Sequence, residues 1–286
     1  MFNFKFYIKK ATFIVAFFIL SICDLNFAQA ETNSDLIEKA YNLSIQKNRL
    51  QSIGILTQAL KKDSKKGKIS KELISTLNEI SQTFYSDKAQ QLYESALSLR
   101  MTDTNAALSK LNEALLSDKD NLIILLEIGR NLLSKNDCDK ALETAQKAKE
   151  IYIYIEEVDL LISQSLVCSG KLEKALDLKP TDIKISEFYI FWQLLLAEVQ
   201  YRKNDLISLR NTLNEAAKNE NKDPQIYYWQ WKLQLGIKES AVRDASKYIS
   251  ECKKLTSRKI RELIYDPFLC RNTVEVENYL KKNNNP

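Results

Sequence analysis

The 286-residue chain contains no histidine and has only five glycines and four prolines. Without histidine, it lacks the side chain best suited to proton transfer near neutral pH and the commonest metal ligand. Strand-rich and doubly wound folds need more turn-forming residues than this chain has. The composition therefore argues against an enzyme, and it predicts helices joined by short polar turns with no cofactor and no metal.

Acidic residues are plentiful, so their distribution decides whether they could form a catalytic site. The chain has 37 Asp and Glu against 42 Lys and Arg, a formal charge of +5, and the two signs are interleaved almost everywhere after residue 70. Clustered acids mark sites, whereas dispersed acids lie on solvated faces. Catalysis by a carboxylate pair is therefore the weaker alternative.

One basic run lies before this part of the chain, in a stretch that also contains Ser and Gly: Lys61, Lys62, Lys65, Lys66 and Lys68. Such a run could touch phosphate or an anionic lipid. It lacks the interleaved aromatic and arginine side chains of a nucleic-acid site. We interpret it as a solvated loop between helices and expect no nucleic-acid partner.

The first 30 residues have the pattern of an export signal. Three lysines precede the apolar stretch 11–22, and the small-x-small sequence Ala28-Gln29-Ala30 follows it. A permanent membrane anchor is the alternative interpretation. The apolar stretch argues against it, because it is too short to cross a hydrocarbon core of about 30 Å as a stable helix. The pattern predicts cleavage after Ala30 and a periplasmic or secreted mature protein. No later segment is long and apolar enough to span a membrane.

The chain has five cysteines. Cys23 follows the apolar stretch as in a lipoprotein signal, but Ile22 stands where lipoprotein processing needs a small side chain. Cleavage after Ala30 removes Cys23 and leaves Cys138, Cys168, Cys252 and Cys270. An even number of cysteines in an exported chain indicates two disulfides.

The sequence repeats itself with a period of 34 residues. Small or apolar residues recur in steps of 34: Ala107, Ala141, Ala175 and Leu209. The segments before them agree, because Ile128-Gly129 and Ile162-Ser163 are also 34 residues apart. Small residues let two helices approach closely, and large residues one turn away fill the space between them.

These residues resemble the tetratricopeptide repeat family. Its repeat has a first helix with Leu-Gly spacing and an Ala-rich second helix, with an acidic-Asn ending such as Asp118-Lys119-Asp120-Asn121. The resemblance covers residues 89–176, continues in phase to 217 and is also visible at 34–60. The proline frequent after the second helix is missing at Lys119, and Lys179-Pro180 cuts the second helix of the third copy short.

The resemblance implies an all-α fold after the signal peptide. We expect a right-handed α-solenoid of about six antiparallel helix pairs at residues 31–254, followed by a helical cap and polar tail at 255–286. Residues 69–85 and 89–97 are interpreted as one degenerate pair. The last helices are expected at 225–235 and 238–254.

The positions of the cysteines in such a stack predict their pairing. Cys138 opens the second helix of one pair and Cys168 closes the first helix of the next, so both lie at the same end of neighbouring layers. We therefore expect Cys138 to pair with Cys168. The remaining pair, Cys252 with Cys270, would pin the C-terminal cap. The absence of histidine and of a CxxC motif argues against a zinc or redox site.

The resemblance also implies a binding groove on a concave face formed by the first helix of each pair. One polar residue per layer falls at one phase of the period: Arg130, Gln164, Glu198 and Lys232. They are expected to form a polar column in the groove, and an ordinary solvated face is the alternative. The aromatic stretches 188–192 and 227–231 add Tyr228 and Trp229 as candidate contacts, because Trp and Tyr are favoured at interface hot spots.

The expected function is an exported scaffold that binds a protein or peptide partner. One alternative is the non-catalytic helical part of an envelope or peptidoglycan-processing complex, which a buried, converging Asp/Glu pair in a deep cleft would favour. Another is an assembly factor docked on a membrane protein.

Overall fold

The computed structural model describes residues 31–218, 223–237, 240–255 and 266–283. The export signal predicted at 1–30 lies outside the described residues. In the part of the chain that the structure describes, every regular element is helical and there is no strand. None of the helices in these ranges combines the length and apolar character needed to cross a membrane.

Fourteen α-helices follow one another in the described ranges: α1 Asn33–Ile45, α2 Arg49–Lys65, α3 Lys71–Gln82, α4 Asp87–Leu99, α5 Thr104–Ser117, α6 Leu122–Ser134, α7 Cys138–Ile151, α8 Glu156–Cys168, α9 Leu172–Leu176, α10 Tyr189–Arg202, α11 Leu206–Ala216, α12 Gln225–Gly236, α13 Val242–Lys253 and α14 Thr273–Asn283. A short 3-10 turn, Ile183–Ile185, precedes α10.

Polar side chains begin several of these helices, and left-handed residues end others. Ser70 and Ser86 accept the third backbone N–H of α3 and α4, while Asn121 accepts two backbone N–H groups of α6. Asn136 and Gly170 follow α6 and α8 with positive φ angles of 64° and 76°. Their backbone N–H groups bond to carbonyls of the preceding turn, which closes each helix.

Most consecutive helices pack on one another, and several alternate helices also touch. The helix α8 contacts both α6 and α10, and α10 also contacts α12. Gly129 of α6 allows its close approach to α8, because a Cβ atom there would lie 2.6 Å from Leu161 Cδ2. Ser163 of α8 is fully buried. The small residues expected from the repeat thus lie where two helices meet.

The pairing expected for residues 69–85 and 89–97 is wrong. The helix α3 packs against α1, α2 and α6, whereas α4 pairs with α5. Leu73 and Leu77 of α3 belong to the main core, but Ala89 and Tyr93 of α4 face a separate cluster formed with α5 and α6. Two helices adjacent in sequence therefore bury their apolar faces in different cores.

Both cysteine pairs lie at disulfide distance, with the partners expected from the sequence. Cys138–Cys168 joins the start of α7 to the end of α8, with Cα atoms 5.6 Å apart. Cys252–Cys270 joins α13 to the segment before α14, with Cα atoms 5.7 Å apart. Each closure stabilises the fold by about 3 to 4 kcal/mol in the loop-entropy model. The helix α14 packs on α13, as a C-terminal cap would.

The basic run is only partly a loop. The helix α2 continues to Lys65, so Lys61, Lys62 and Lys65 are helical and only Lys66 and Lys68 lie in the turn. All of them are exposed. The helix extends because no glycine or proline interrupts the chain before Gly67, and because lysines near a helix C-terminus interact favourably with its dipole.

Candidate functional site

A segment before α14 turns back across the helix stack instead of capping only the last layer. We call residues 266–272 the return segment. The Arg100 side chain, at the end of α4, donates a 2.8 Å hydrogen bond to the Asp266 carbonyl. Arg271 donates to the Leu133 carbonyl of α6 at 3.4 Å, and Gln225 of α12 donates to the Phe268 carbonyl. The return segment is therefore tied to α4, α6 and α12, and Cys270 bonds it to α13.

A pocket of about 320 Å³ lies between α8, α10, α12 and the return segment. Five aromatic side chains line it: Phe191, Tyr201, Tyr228, Trp229 and Phe268. Five charged side chains line it as well: Glu198, Arg202, Lys232, Asp266 and Arg271. Apolar walls with a few convergent polar groups are typical of a ligand pocket.

Five of the six groove residues predicted from the sequence line this pocket: Gln164, Glu198, Lys232, Tyr228 and Trp229. Three of them lie one repeat apart on α8, α10 and α12, so the 34-residue phase does bring polar side chains to one place. Their part in binding a partner stays a prediction.

Arg130, the remaining residue of the predicted polar column, does not line the pocket. Its side chain is only 4% exposed and contacts Glu127 at 3.3 Å and also Glu157. Glu127 lies one turn earlier on α6, and Glu157 is in the first turn of α8. Two buried carboxylates therefore hold this guanidinium inside the protein.

Three aromatic residues of the pocket form a continuous wall: Tyr201, Trp229 and Tyr228. The Trp229 ring centroid is 5.6 Å from that of Tyr201 and 5.1 Å from that of Tyr228, the latter in an edge-on arrangement. Tyr228 is 7% exposed, and its hydroxyl lies 3.3 Å from Glu275 Oε2. Burial, and then the Glu275 carboxylate, raise the pKa of the Tyr228 hydroxyl. Tyr228 therefore stays neutral and presents an apolar face.

The basic side chains at the pocket each have an acceptor. Arg202 Nη2 lies 2.5 Å from Glu198 Oε1, and Lys232 Nζ lies 2.6 Å from Glu275 Oε1. Arg271 donates to the Asn136 side chain at 3.4 Å. Burial raises the pKa of Glu198 despite the opposing effect of Arg202.

Two acceptor atoms of the pocket residues have no hydrogen-bond partner in the part of the chain that the structure describes. Asp266 Oδ1 accepts the Phe268 backbone N–H at 2.8 Å, but Asp266 Oδ2 accepts nothing. Gln225 Oε1 is also unpaired. These residues are only 4% and 3% exposed, respectively. Burial, and then the nearby Asp223 carboxylate, raise the pKa of Asp266 well above its usual value.

The raised pKa of Asp266 predicts a dependence of stability on pH. An unperturbed Asp has a pKa of about 3.9, and a higher pKa in the folded protein means that ionisation opposes folding. The stability that protonated Asp266 contributes is therefore fully present below the pKa of the unfolded chain. It is lost as the pH rises through the pKa of Asp266 in the folded protein. We expect Asp266→Asn to raise the free energy of unfolding at about pH 7 and to flatten its decline from acid to neutral pH.

Urea unfolding at several pH values measures this effect. Glu113→Gln is the control, because Glu113 is an exposed acid on α5 whose side chain is 50% accessible. A decline as steep in Asp266→Asn as in the unaltered protein would contradict the assignment.

Sequence reasoning missed the contribution of the return segment to the pocket. Asp266, Phe268 and Arg271 had been assigned to the terminal cap, and the pairing of Cys252 with Cys270 was the only signal for their position. That pairing brings the segment to α13. It does not show that the segment reaches back to Arg100, 166 residues earlier.

Comparison with models of protein families gives no match for this chain. Comparison with curated proteins gives no significant sequence match.

Proposed function

We propose that this protein is an exported, tetratricopeptide-like helical-repeat scaffold that binds a protein or peptide partner in the pocket between α8, α10, α12 and the return segment. The observation that carries the proposal is the pocket itself, where aromatic walls surround buried polar groups in about 320 Å³. Such a volume suits one or a few side chains of a partner. The family resemblance supports the binding role.

Two further observations support an envelope location for this scaffold. The signal pattern at 1–30 predicts export, and the two cysteine pairs are at bonding distance. Disulfides persist in oxidising compartments such as the bacterial periplasm.

Trp229 and Tyr228 are proposed as the aromatic contacts of the partner. Tyr and Trp supply large, rigid contact area, and they dominate binding energy at desolvated centres of interfaces. Both face the pocket, and Trp229 is the more accessible of the two. A partner residue in the pocket would therefore pack against these rings.

Site-specific photo-crosslinking tests the binding role. Tyr201→p-benzoylphenylalanine places a photoreactive benzophenone at the pocket wall. We expect it to form covalent adducts with another protein when the full chain is irradiated in its own cell envelope. The control carries the same group at Ile207 of α11, which is 79% exposed and outside the pocket. Equal adducts at both positions, or none at Tyr201, would refute pocket binding.

The second candidate is a part of a peptidoglycan-processing complex, and the buried Asp223 and Asp266 favour it. Their carboxylates interact electrostatically. However, only Asp266 lines the pocket, so the two acids do not face one occupant. This arrangement supports binding more than carboxylate catalysis. Identification of the crosslinked protein also separates the scaffold from an assembly factor, since the latter would be linked to a membrane protein.

A further inference from the structure

The end of α2 and the turn into α3 concentrate positive charge at the surface. We call residues 61–71 the basic turn. It contains one acid, Asp63, and six exposed lysines: Lys61, Lys62, Lys65, Lys66, Lys68 and Lys71. Every lysine ion pair found in the described ranges is made by a lysine elsewhere in the chain. The six charges therefore face solvent without a carboxylate partner.

The acids around the basic turn have other partners or a favourable place of their own. Asp63 accepts a 3.3 Å hydrogen bond from the Asn33 side chain of α1. Glu72 is in the first turn of α3, where the helix dipole favours a carboxylate. The two acids at the start of the α1 segment bond within that segment: Glu31 and Asp35. Most of the positive charge of the basic turn is therefore uncompensated.

An apolar side chain lies among these lysines. Ile69 is 47% exposed and stands between Lys68 and Ser70, the capping residue of α3. It belongs to none of the hydrophobic clusters in the described ranges, although Leu73, one turn later, is fully buried. A single exposed apolar residue is ordinary on a protein surface. An exposed isoleucine among six unpaired lysines is a combination that indicates a partner with both charge and apolar character.

The two helices hold the basic turn in place. Gly67 has a φ angle of 72°, and its N–H bonds to the Ser64 carbonyl at 3.0 Å, which closes α2. Leu60 and Leu73, on either side of the turn, are buried in the main core. The backbone that carries Ile69 is therefore ordered before any partner arrives, and binding costs little further backbone entropy.

This chemistry fits an anionic phospholipid surface. Lysine is a compact charge on a long apolar stem, so it can reach a headgroup phosphate while the stem stays near the acyl chains. Segments with several lysines are attracted to anionic lipids, and an adjacent apolar side chain adds area that leaves water. Nucleic acid is disfavoured, because the basic turn has neither arginine nor an aromatic residue for base stacking. A soluble acidic polymer is disfavoured as well, since it offers Ile69 no apolar environment.

We propose that the basic turn docks this protein on a bilayer that contains anionic phospholipid, with the lysines at the headgroups and Ile69 among the outermost acyl carbons. With one apolar side chain, the attachment is reversible and depends on charge. No residue of the basic turn lines the pocket between α8, α10, α12 and the return segment. Docking therefore goes beyond partner binding, and either can hold without the other.

Vesicle cosedimentation tests the proposal on the chain from residue 31 onwards. This form keeps every described helix and lacks an apolar stretch that would bind lipid by itself. The vesicles contain either phosphatidylcholine alone or phosphatidylcholine with an equal amount of phosphatidylglycerol. We expect binding only to the vesicles with phosphatidylglycerol, and weaker binding as salt is raised, because salt screens exposed charges.

Neutralising lysines of the basic turn separates its local charge from the net charge of the chain. The triple variant Lys65→Gln, Lys66→Gln, Lys68→Gln is expected to bind these vesicles at least about tenfold more weakly. The control removes the same charge at three exposed lysines elsewhere and should bind as the unaltered chain does: Lys119→Gln, Lys281→Gln and Lys282→Gln. Because all six side chains are exposed, circular dichroism should show the same helix content in both variants.

A dye at position 69 tests the insertion of Ile69. Ile69→Cys adds one free thiol, since the other four cysteines of this form are paired. An environment-sensitive dye on that thiol should shift its emission to shorter wavelength with the phosphatidylglycerol vesicles. The same dye on Ile207→Cys, at an exposed position of α11, should not shift.

Four results would overturn the proposal. Equal binding to both kinds of vesicle would exclude recognition of anionic lipid, and an equal loss in the two triple variants would exclude the basic turn as its origin. Unchanged emission at position 69 would exclude insertion of Ile69. Displacement of the vesicles by inorganic phosphate or polyglutamate, at matched anion concentration, would identify a soluble anion or an acidic protein as the partner. Crosslinking at Tyr201 reports on the pocket alone, so its outcome is separate from these.

Discussion

Glu127→Gln is expected to lower the free energy of unfolding by roughly 3 to 5 kcal/mol, the usual loss when one partner of a buried ion pair is removed. The Glu127 side chain is completely buried. Its carboxylate lies 3.3 Å from Arg130 Nη1 and 3.6 Å from Arg100 Nε. It also accepts a 2.8 Å hydrogen bond from Asn131 Nδ2.

The size of this effect follows from the charges that remain. Arg100, Arg130, Glu127 and Glu157 form a buried group with two charges of each sign. Glutamine at position 127 would leave two guanidinium groups with one carboxylate, in a place with little water to solvate the excess charge. Arg100 also holds the Asp266 carbonyl, so the substitution should loosen the return segment as well.

Urea unfolding of the purified protein measures the loss. Glu143→Gln is a matched control, because Glu143 pairs with Lys147 on the exposed surface of α7 and its side chain is 64% accessible. Exposed pairs of this kind contribute little to stability, because water screens both charges. A loss in Glu127→Gln no larger than in the control would show that the buried group does not stabilise the fold.

Arg49→Met is expected to lower the free energy of unfolding by a similar amount, roughly 3 to 5 kcal/mol. Arg49 begins α2, and its guanidinium lies 2.8 Å from Asp118 Oδ1 in a pair whose side chains are only 4% and 3% exposed. It donates to the carbonyls of Ser81 and Thr83 at 3.1 and 2.8 Å. It also lies 4.3 Å above the centre of the Tyr85 ring.

Arg49 thus connects α2 to the turn between α3 and α4 and to the turn after α5. Methionine keeps the length and apolar character of the stem but leaves Asp118 as a buried charge without its cation. The Ser81 carbonyl also loses the Arg49 donor, whereas the Thr83 carbonyl keeps a hydrogen bond from Asn121 Nδ2. These are the conditions under which removal of one ion-pair partner is most costly.

A double-mutant cycle tests this explanation. Arg49→Met combined with Asp118→Asn should lose less stability than the sum of the single variants, because the second change removes the unpaired charge. Lys140→Met is the surface control, since Lys140 is 70% exposed in its pair with Asp137. Simple additivity of Arg49→Met and Asp118→Asn would contradict a direct interaction.

The helices and their close contacts could be predicted because repeat folds depend on neighbours in sequence. Ala107, Leu111 and Ala114 recur at one helical face, and each is buried against the adjacent helix. Gly129 predicted a close approach of two helices, which the structure places against Leu161. The pairing of Cys138 with Cys168 followed from the same layer spacing, and Cys252 with Cys270 was the pair that remained.

Arg130 and the helix α3 could not be placed in this way. The periodicity identifies which positions share a phase, but it does not show whether a charged residue at that phase meets buried partners. Glu127 and Glu157 lie on two different helices and draw Arg130 inward. Likewise, the apolar faces of α3 and α4 have similar patterns, and only packing decides that they join different cores.

The sequence by itself determined the all-helical class, the small contact positions and the cysteine partners, because these depend on side-chain size and spacing within one or two repeats. Only the tertiary structure decided where the pocket lies. The pocket needs Asp266 and Phe268 to cross the stack, and the hydrogen bond from Arg100 to the Asp266 carbonyl joins residues 166 positions apart. No local pattern encodes such a contact, because its free energy arises only when distant buried groups satisfy one another.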